Sequence, residues 1–427
     1  MENELAKSRW YRLLPIAFIT YSLAYLDRAN FGFGAASGMG DDLQINPAMS
    51  SLLSSLFFLG YFFFQVPGAI YAQKRSAKRL VFWSLILWGG LAMATGIISN
   101  INALIVIRFL LGVVESAVMP AMLLFLSRWF TKAERSQANT YLILGNPVTI
   151  LWMSVLSGYL IQAVGWRWMF ILEGLPAIVW AYFWWRLVDD KPQDAHWLTP
   201  DEKQALTRQL EREQQGIRPV RNYGEAFRSK VVLLLSFQYA LWSIGVYGFV
   251  MWLPSILKAA PDMDIVKTGW LSAVPYVLAI IGMVSVSYYS DKSQQRKIFV
   301  WPFLVVGALA FYGSYLVGPS SFWLSFILLI VAGGAMYAPY GPFFAIIPEV
   351  LPQNVAGGAM ALINSFGALG SFIGAYIVGY LNGSTGGFGA SYLFMAASLL
   401  LSAILTLLAL KKTTPAAVVE PGKVKAS

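Results

Sequence analysis

Long apolar segments alternate with short polar ones along almost the whole chain. Each apolar segment has about 20 residues or more, and a helix needs about 20 residues to cross a hydrocarbon core of about 30 Å. Lipid offers no hydrogen-bond partner to backbone groups, so these segments must be helices; the alternating pattern of a barrel strand is absent. We predict twelve spans: 11–36, 47–72, 79–99, 102–127, 137–164, 167–188, 231–257, 265–290, 297–317, 320–347, 355–381 and 388–411.

A single long polar segment, 189–222, divides the spans into six and six. Within it, Thr199, Pro200 and Glu202 form the capping-box pattern that opens a helix, so we expect a short polar helix there. The predicted domains are a first six-helix bundle (1–188), a linker (189–230), a second six-helix bundle (231–412) and a flexible tail (413–427).

The two groups of six spans also resemble each other in sequence. QKRSAKRLVFW at 73–83 aligns without a gap with DKSQQRKIFVW at 291–301, at an offset of 218, and the same offset pairs Asn146 with Asn364. Two matches in one register favour a duplicated six-helix unit. This layout is typical of secondary transporters, in which two halves rock about a site near the middle of the bilayer.

The charged residues define an orientation in the membrane. Only 12% of the residues are charged, against about 25% in an ordinary soluble protein. Of the 31 Lys and Arg residues, 26 lie in loops on one side of the predicted spans, and three lie on the other side. The positive-inside rule therefore predicts that both termini, the linker and the tail are cytoplasmic. The net charge of +10 is spread over many short loops, which argues against nucleic acid as a partner.

Several classes of enzyme and metal site have no motif in this chain. Without cysteine, neither disulfides nor Cys-ligated metals are possible. We find no HExxH, GxSxG or GxxxxGK[ST] pattern, so we predict no metal, no cofactor and no enzymatic activity. The one histidine, His196, falls in the linker, and we interpret it as a solvated loop residue because proton relays lie within membrane spans.

Charged residues within the spans are the main candidates for function. An ionisable group near the bilayer centre costs about 3 kcal/mol on insertion scales and is functional by default. We select four: Asp27, Arg28, Arg108 and Glu115. The alternative interpretation is that they form only fixed ion pairs between helices.

The spacing of these charges suggests how they pair. Arg108 and Glu115 are about 10 Å apart along one helix, so they do not simply neutralise each other. Asp27 and Arg108 should lie at a similar depth, which predicts an ion pair between them. Arg28 would then be free to grip a carboxylate with two hydrogen bonds, and Glu115 would exchange a proton.

Five segments carry a resemblance to a known family: YLDRANFGF (25–33), RFLLGVVESAVMP (108–120), SRWFTKAERSQA (127–138), GWRWMFILEG (165–174) and NSFGALGSF (364–372). They resemble the anion:cation symporter family of the major facilitator superfamily. Its members are bacterial inner-membrane permeases for sugar acids such as galactonate, glucarate, rhamnonate and hexuronates, with tartrate and aromatic-acid relatives. The resemblance implies an all-α fold of twelve transmembrane helices in two halves related by a pseudo-twofold axis, and a monomer.

The resemblance also implies roles for particular residues. Asp27 and Glu115 would carry protons, Arg108 would be a charge partner, and the substrate would contact Tyr25, Arg28, Asn146 and Asn364. The two asparagines would bind hydroxyls; the alternative is that they only make hydrogen bonds between helices. From the second half we select Tyr247 and Tyr337 as further substrate contacts, although many tyrosines belong to the interfacial belt.

A cytoplasmic gating motif is expected after the second span of each half. The second copy keeps Asp291, Lys292 and Arg296. The first copy has Gln73 where the superfamily normally has an acid. This departure weakens one expected cytoplasmic clamp.

These observations predict a secondary active transporter that imports an organic anion by proton symport and alternating access. A sugar acid (aldonate, aldarate or uronate) is the expected substrate. Uptake of another carboxylate, such as a tartrate-like or aromatic acid, is the first alternative, and proton-driven efflux of cationic or lipophilic compounds is the second. A membrane-embedded enzyme or receptor is the third.

Overall fold

The computed structural model describes residues 7–214, 230–293, 295–318, 321–350 and 353–409. These residues are almost entirely helical. The α-helices are α1 Ser8–Ala36, α2 Met39–Asp42, α3 Pro47–Lys74, α4 Ala77–Ile97, α5 Ile101–Ser116, α6 Val118–Trp129, α7 Lys132–Leu187, α8 Pro200–Gln214, α9 Lys230–Lys258, α10 Ile265–Ser293, α11 Trp301–Val317, α12 Phe322–Tyr337, α13 Tyr340–Val350, α14 Gln353–Thr385 and α15 Gly389–Ala409.

The predicted twelve membrane passes are present in these helices. Ten helical segments of the described chain are long and apolar enough to cross a membrane. One of them, the 50 residues of Ala138–Leu187, contains two passes, because Gly165 has a positive φ of 82° that breaks α7. Ser157 Oγ donates a hydrogen bond of 2.6 Å to Glu173 Oε1, so the two segments of α7 fold back side by side. α1 provides the remaining pass and is less apolar because it includes Asp27 and Arg28.

The fourth pass of each half is interrupted at a corresponding place. α5 ends at Ser116 and α6 begins at Val118, while α12 ends at Tyr337 and α13 begins at Tyr340. A proline lies beside each break, Pro120 and Pro339, and proline cannot donate the backbone hydrogen bond that a continuous helix needs. The shared interruption agrees with the duplicated six-helix unit that the sequence predicts.

Two halves make up the bundle, with α1–α7 in the first and α9–α15 in the second. They meet where α1 packs on α9, α3 on α14, and α7 on α10. Large apolar side chains are exposed around the outside, for example Leu309 at 63% and Trp323 at 62%. A soluble protein rarely exposes so many large apolar side chains, so this surface suits contact with lipid.

The halves approach most closely on one side of the bundle. We call the side on which α1 begins and α15 ends the near side, and the opposite side the far side. A Cβ atom added to Gly269 of α10 would lie 2.5 Å from the carbonyl oxygen of Ser154, and one added to Gly158 would lie 2.9 Å from that of Ile265. A Cβ on Gly32 would lie 2.5 Å from the carbonyl oxygen of Met251. Backbone therefore contacts backbone across the interface, and the far side is tightly sealed.

The near side of the first half is held by a polar network. Arg9, which is 1% exposed, donates to Glu134 Oε1 at 2.9 Å and to the carbonyl oxygen of Trp129 at 2.5 Å. Burial raises the pKa of Glu134, but hydrogen bonds from Arg9 and Thr131 outweigh it, so the pKa lies below its ordinary value. This network ties the start of α1 to the turn between α6 and α7.

The linker helix has the predicted cap. Thr199 N and Oγ1 donate to Glu202 Oε2 at 2.8 and 2.9 Å, and Glu202 N donates back to Thr199 Oγ1 at 3.3 Å. This confirms the capping box at the start of α8. The rest of the predicted linker from 215 to 229 and the whole predicted tail, 413–427, lie outside the described residues.

Candidate functional site

A cavity lies between the two halves. Five of the six predicted substrate contacts line this cavity, and they come from both halves: Tyr25, Arg28, Asn146, Tyr247 and Asn364. The other lining side chains are mostly aromatic or hydroxyl-bearing: Tyr21, Phe58, Tyr61, Met119, Ile143, Tyr239, Ser243, Tyr340, Phe344, Ala368 and Ser371.

Among the described residues, Arg28 is the one positive group on the cavity wall, and it is only 7% exposed. Its Nη2 contacts Glu115 Oε2 at 3.1 Å. The guanidinium carbon lies 4.6 Å from the ring centroid of Tyr25 and 5.0 Å from that of Tyr61, distances at which a cation is attracted to an aromatic face. Arg28 Nε finds no hydrogen-bond partner among the described residues. The guanidinium is therefore held in place but keeps a donor to offer to a ligand.

The predicted ion pair between Asp27 and Arg108 is not formed. Within the described chain, Arg28 has the ion pair instead, with Glu115. Arg108 Nε donates to the carbonyl oxygen of Leu53 at 3.1 Å, and its guanidinium lies 4.3 Å from the ring centroid of Phe31. Equal depth was the basis of the prediction, but neighbours on a helix point about 100° apart. Arg28 consequently turns toward the cavity and Asp27 turns away from it.

Asp27 faces a second polar group that we call the acid cluster: Asp27, Asn30, Ser157 and Glu173. Asn30 Nδ2 lies 3.4 Å from Asp27 Oδ1 and 3.0 Å from Glu173 Oε2. Ser157 Oγ donates to the other oxygen of Glu173. Both carboxyl groups are buried, with Asp27 1% and Glu173 3% exposed. The acid cluster joins α1 to both segments of α7.

Glu173 is a charged span residue that we did not select from the sequence. The signal was available, because Glu173 stands in the middle of the apolar run MFILEGLPAIV. Tyr61 was missed for a different reason. It lies in the run FFLGYFFFQ, where neighbouring aromatics such as Phe63 and Phe64 face outward with 57% and 43% exposure. Composition does not distinguish the ring that faces Arg28 from the rings that face lipid.

The other five predicted substrate contacts do not all lie on the cavity wall. Tyr25 and Tyr247 bridge the two halves through their hydroxyls, 2.5 Å apart. Asn146 Oδ1 has no partner in the part of the chain that is described, and Asn364 Nδ2 lies 3.6 Å from Met119 Sδ. Tyr337 does not line the cavity. It lies behind Tyr340, with ring centroids 5.5 Å apart.

The predicted gating motif lies at the near-side end of α10. Arg296 Nη1 donates to Ser290 Oγ at 3.2 Å, Lys292 is exposed, and the side chain of Asp291 lies outside the described residues. In the first half, Asp190 Oδ1 accepts from the backbone of Lys78 at 2.9 Å and lies 3.6 Å from Arg128. A carboxylate from the linker therefore reaches the loop whose own acid is replaced by Gln73.

Metal ligands are absent from the described part of the chain, where no group of three or more His, Cys, Asp or Glu side chains is arranged to hold an ion. The cavity wall offers one guanidinium together with hydroxyl and amide groups, and the carboxyl of Glu115 lies behind it in contact with Arg28. Such a set can bind an anion and exchange a proton.

Comparison with known proteins assigns the chain to one family of membrane proteins. The sequence model of the Major Facilitator Superfamily matches residues 17–375, with a further match over 266–426. The chain is 30% identical over 428 residues to a putative tartrate transporter of Agrobacterium vitis, and the alignment covers 98% of this chain and 94% of that protein. It is also 30% identical over 414 residues to a quinolone resistance transporter of Acinetobacter baumannii, and that alignment covers 95% of this chain and 94% of the transporter.

Among solved structures, a D-xylose-proton symporter superposes with a TM-score of 0.74 at 12% identity, over 93% of this chain and 97% of the other. At this identity the likeness concerns the fold alone. The fold is therefore that of a twelve-helix transporter with two six-helix halves.

Proposed function

Because the chain belongs to the Major Facilitator Superfamily, we propose that this membrane transporter takes up a hydroxylated organic anion together with protons. The observation that carries the proposal is the environment of Arg28. It is a buried guanidinium on the wall of a cavity between two halves, with an unpartnered Nε and a carboxyl as its only ion-pair partner among the described residues. A carboxylate ligand would satisfy the free donor through a charge-assisted hydrogen bond.

The rest of the cavity wall suggests which kind of anion fits. Asn146 Oδ1 and Ser243 Oγ are buried and have no partner among the described residues, so each can bond to a ligand hydroxyl. Unpartnered buried polar groups are unfavourable unless something satisfies them. A carboxylate that also carries hydroxyl groups, such as tartrate or a sugar acid, provides both kinds of partner. The similarity to a putative tartrate transporter supports this class of substrate.

Proton coupling follows from competition for Arg28. The guanidinium binds Glu115 in the described state. A proton on Glu115 would remove its negative charge, weaken the ion pair and free Arg28 for the substrate carboxylate. When the substrate leaves, the proton leaves Glu115 and the ion pair re-forms. Uptake of the anion with a proton is therefore favoured over uptake of the anion alone. Asp27 serves as a second proton carrier, and Arg108 influences both acids electrostatically.

Alternating access requires the cavity to open on one side at a time. The far side is sealed by backbone contacts between the halves. The described state is therefore one from which the cavity opens toward the near side. The distribution of 26 of 31 Lys and Arg residues makes the near side cytoplasmic. On this proposal the structure represents an inward-facing monomer in a bacterial inner membrane.

A second candidate function is efflux. Its support is the similarity, also at 30% identity, to a quinolone resistance transporter, together with the aromatic rings of Tyr21, Phe58 and Tyr239 on the cavity wall. Efflux by proton exchange predicts that an inward-directed proton gradient expels substrate. Uptake by symport predicts that the same gradient accumulates it.

The test uses purified protein in proteoliposomes with an imposed inward proton gradient. Labelled tartrate, aldonates, aldarates, uronates and aromatic acids are offered in turn, after a thermal-shift screen that ranks their binding. Accumulation of at least one acid, abolished by a protonophore, is the expected result. If no acid is accumulated, the uptake proposal is wrong; expulsion of preloaded substrate under the same gradient would establish the efflux candidate instead.

A further inference from the structure

The acid cluster forms no hydrogen bond or ion pair with Arg28 or Glu115 in the described residues, although Asp27 and Arg28 are neighbours on α1. Glu173 stands eight residues beyond Gly165, or about 12 Å along the second segment of α7 from its far-side end. Glu115 is fourteen residues from the far-side start of α5, or about 21 Å. Glu173 is therefore nearer the far side than Glu115 is, whereas Asp27 lies at the depth of Arg28, its neighbour on α1.

Two buried carboxyl groups share the acid cluster without a positive partner in contact. Within the described chain, neither Asp27 nor Glu173 forms an ion pair. Their hydrogen bonds come from neutral groups, the amide of Asn30 and the hydroxyl of Ser157. The charges whose fields reach Asp27 are those of Glu115, Glu173 and Arg108. A buried charge without a paired counter-ion is strongly disfavoured.

The acid cluster also contains more hydrogen-bond acceptors than donors. Asn30 supplies one amide group to both carboxyls. Asp27 Oδ2 and Asn30 Oδ1 are buried and have no hydrogen-bond partner in the described part of the chain. A proton on Asp27 would turn one of its oxygens into a donor and would remove one of the two negative charges. Two buried carboxyl groups bridged by one amide favour a state in which one of them carries a proton.

Ser157 connects the acid cluster to the far-side seal. It lies on the same stretch of α7 as Ser154 and Gly158, whose backbones meet Gly269 and Ile265 of α10. Moving Glu173 away from Ser157 would therefore disturb the part of α7 that closes the far side.

We propose that Asp27 and Glu173, joined by Asn30, form a second proton-binding site that controls closure of the far side. With the proton bound, one carboxyl is neutral and the two segments of α7 stay together with α1. Without it, two buried carboxylates repel each other and the far side opens. The proposal rests on the proposed function for the proton at Asp27; it adds Glu173 and the control of the far side, and its tests require no substrate.

The first test is infrared difference spectroscopy of the protein without substrate at neutral pH. A protonated carboxyl has a C=O stretching band that a carboxylate lacks. We expect such a band in the wild type, and its loss or displacement in both Glu173→Gln and Asp27→Asn. Glu202→Gln, which removes the capping carboxyl of the linker helix α8 and leaves the membrane helices unchanged, should leave the band unchanged. If neither cluster variant alters the carboxylic-acid region, the acid cluster holds no proton and the proposal is wrong.

The second test measures opening of the far side. The chain has no cysteine, so Ser51→Cys introduces a single thiol at a residue that is 0% exposed and close to Gly379 across the interface. The rate at which a water-soluble maleimide labels Ser51→Cys is measured at each pH. It is divided by the labelling rate of Ala259→Cys, an exposed far-side position, because this ratio cancels the pH dependence of thiol reactivity itself.

We expect the normalised rate to rise several-fold from acidic to mildly alkaline pH in the parent, and to stay low at all pH values when Glu173→Gln is added. Glu202→Gln should behave as the parent does. A pH profile that Glu173→Gln leaves unchanged would overturn the proposal. Failure of the uptake experiment above would leave both of these results as they are, so the two proposals can fail separately.

Discussion

The two halves share one scaffold but differ in their buried charges. In the described residues, every buried charged side chain belongs to the first half: Arg9, Asp27, Arg28, Arg108, Glu115 and Glu173. At the offset of 218 that aligns the halves, the five intramembrane ones correspond to Gly245, Val246, Phe326, Gly333 and Ser391. The second half instead contributes tyrosines and serines to the cavity. Both copies keep the helices, while the buried charges of the described residues are confined to one copy.

This division suggests a division of labour. On the proposed function, the first half would bind the carboxylate and exchange the proton, and the second half would supply shape and hydroxyl partners. Keeping both charged groups in one half has a physical advantage, because the ion pair does not have to break when the halves move apart. The contacts that cross the interface at the cavity include the hydrogen bond between the Tyr25 and Tyr247 hydroxyls and the contact of Asn364 with Met119, and these are less costly to break than a buried ion pair.

The largest expected effect comes from Arg28→Lys, which keeps the charge and removes the guanidinium fork. We expect substrate affinity to fall about 10- to 100-fold, equivalent to about 1.5–3 kcal/mol for hydrogen bonds to a charged group. The measurements are the ligand-induced thermal shift and the uptake rate in proteoliposomes. Arg12→Lys, on the near side over Trp197, is the matched control. Unchanged affinity in Arg28→Lys would move the anion site away from the first half.

Glu115→Gln separates anion binding from proton coupling. The neutral amide cannot carry a proton, so we expect proton-driven accumulation to fall to equilibrium while exchange of labelled for unlabelled substrate continues. Both are measured in the same proteoliposomes, with Glu202→Gln as control. Accumulation that persists in Glu115→Gln would show that another acid carries the coupled proton, and the acid cluster would then be the first place to look.

The third prediction asks why the second half lacks charges. Val246 aligns with Arg28 and is 1% exposed. Val246→Asp should destabilise the protein by about 3 kcal/mol, the cost of a charged residue in the middle of a span. Val246→Ala, which removes methyl groups without adding charge, should cost less, about 1–2 kcal/mol. Thermal unfolding in detergent measures both. An equal loss in the two variants would remove burial cost as the reason for the asymmetry.

Sequence patterns predicted the fold and the charged residue on the cavity wall, Arg28, because each depends on a strong local signal, whereas the other four predicted lining residues came from the family resemblance or were weak selections. Apolar length indicates a span whatever it packs against, and a charge inside a span stands out for the same reason. The ion-pair partners were not predictable in this way. Depth in the membrane follows from the sequence, whereas the direction in which Asp27 and Arg28 point depends on how α1 is rotated against its neighbours. Tyr61 could not be distinguished from lipid-facing aromatics because the two have the same composition.

The smallest expected effect concerns the place where the halves touch. Gly269→Ala adds one methyl group whose carbon would lie 2.5 Å from the carbonyl oxygen of Ser154, so α7 and α10 must separate when the far side closes. Overpacking of this kind costs about 1–3 kcal/mol, and here the cost falls only on the far-side-closed state. Labelling of Ser51→Cys should therefore become faster, and transport slower, without a matching loss of thermal stability. Gly90→Ala is the control, because a Cβ there meets nothing within 4 Å. If labelling is unchanged while stability drops, the glycine contact stabilises the fold and does not act as a gate, and the far side must be closed by the α1–α9 and α3–α14 contacts instead.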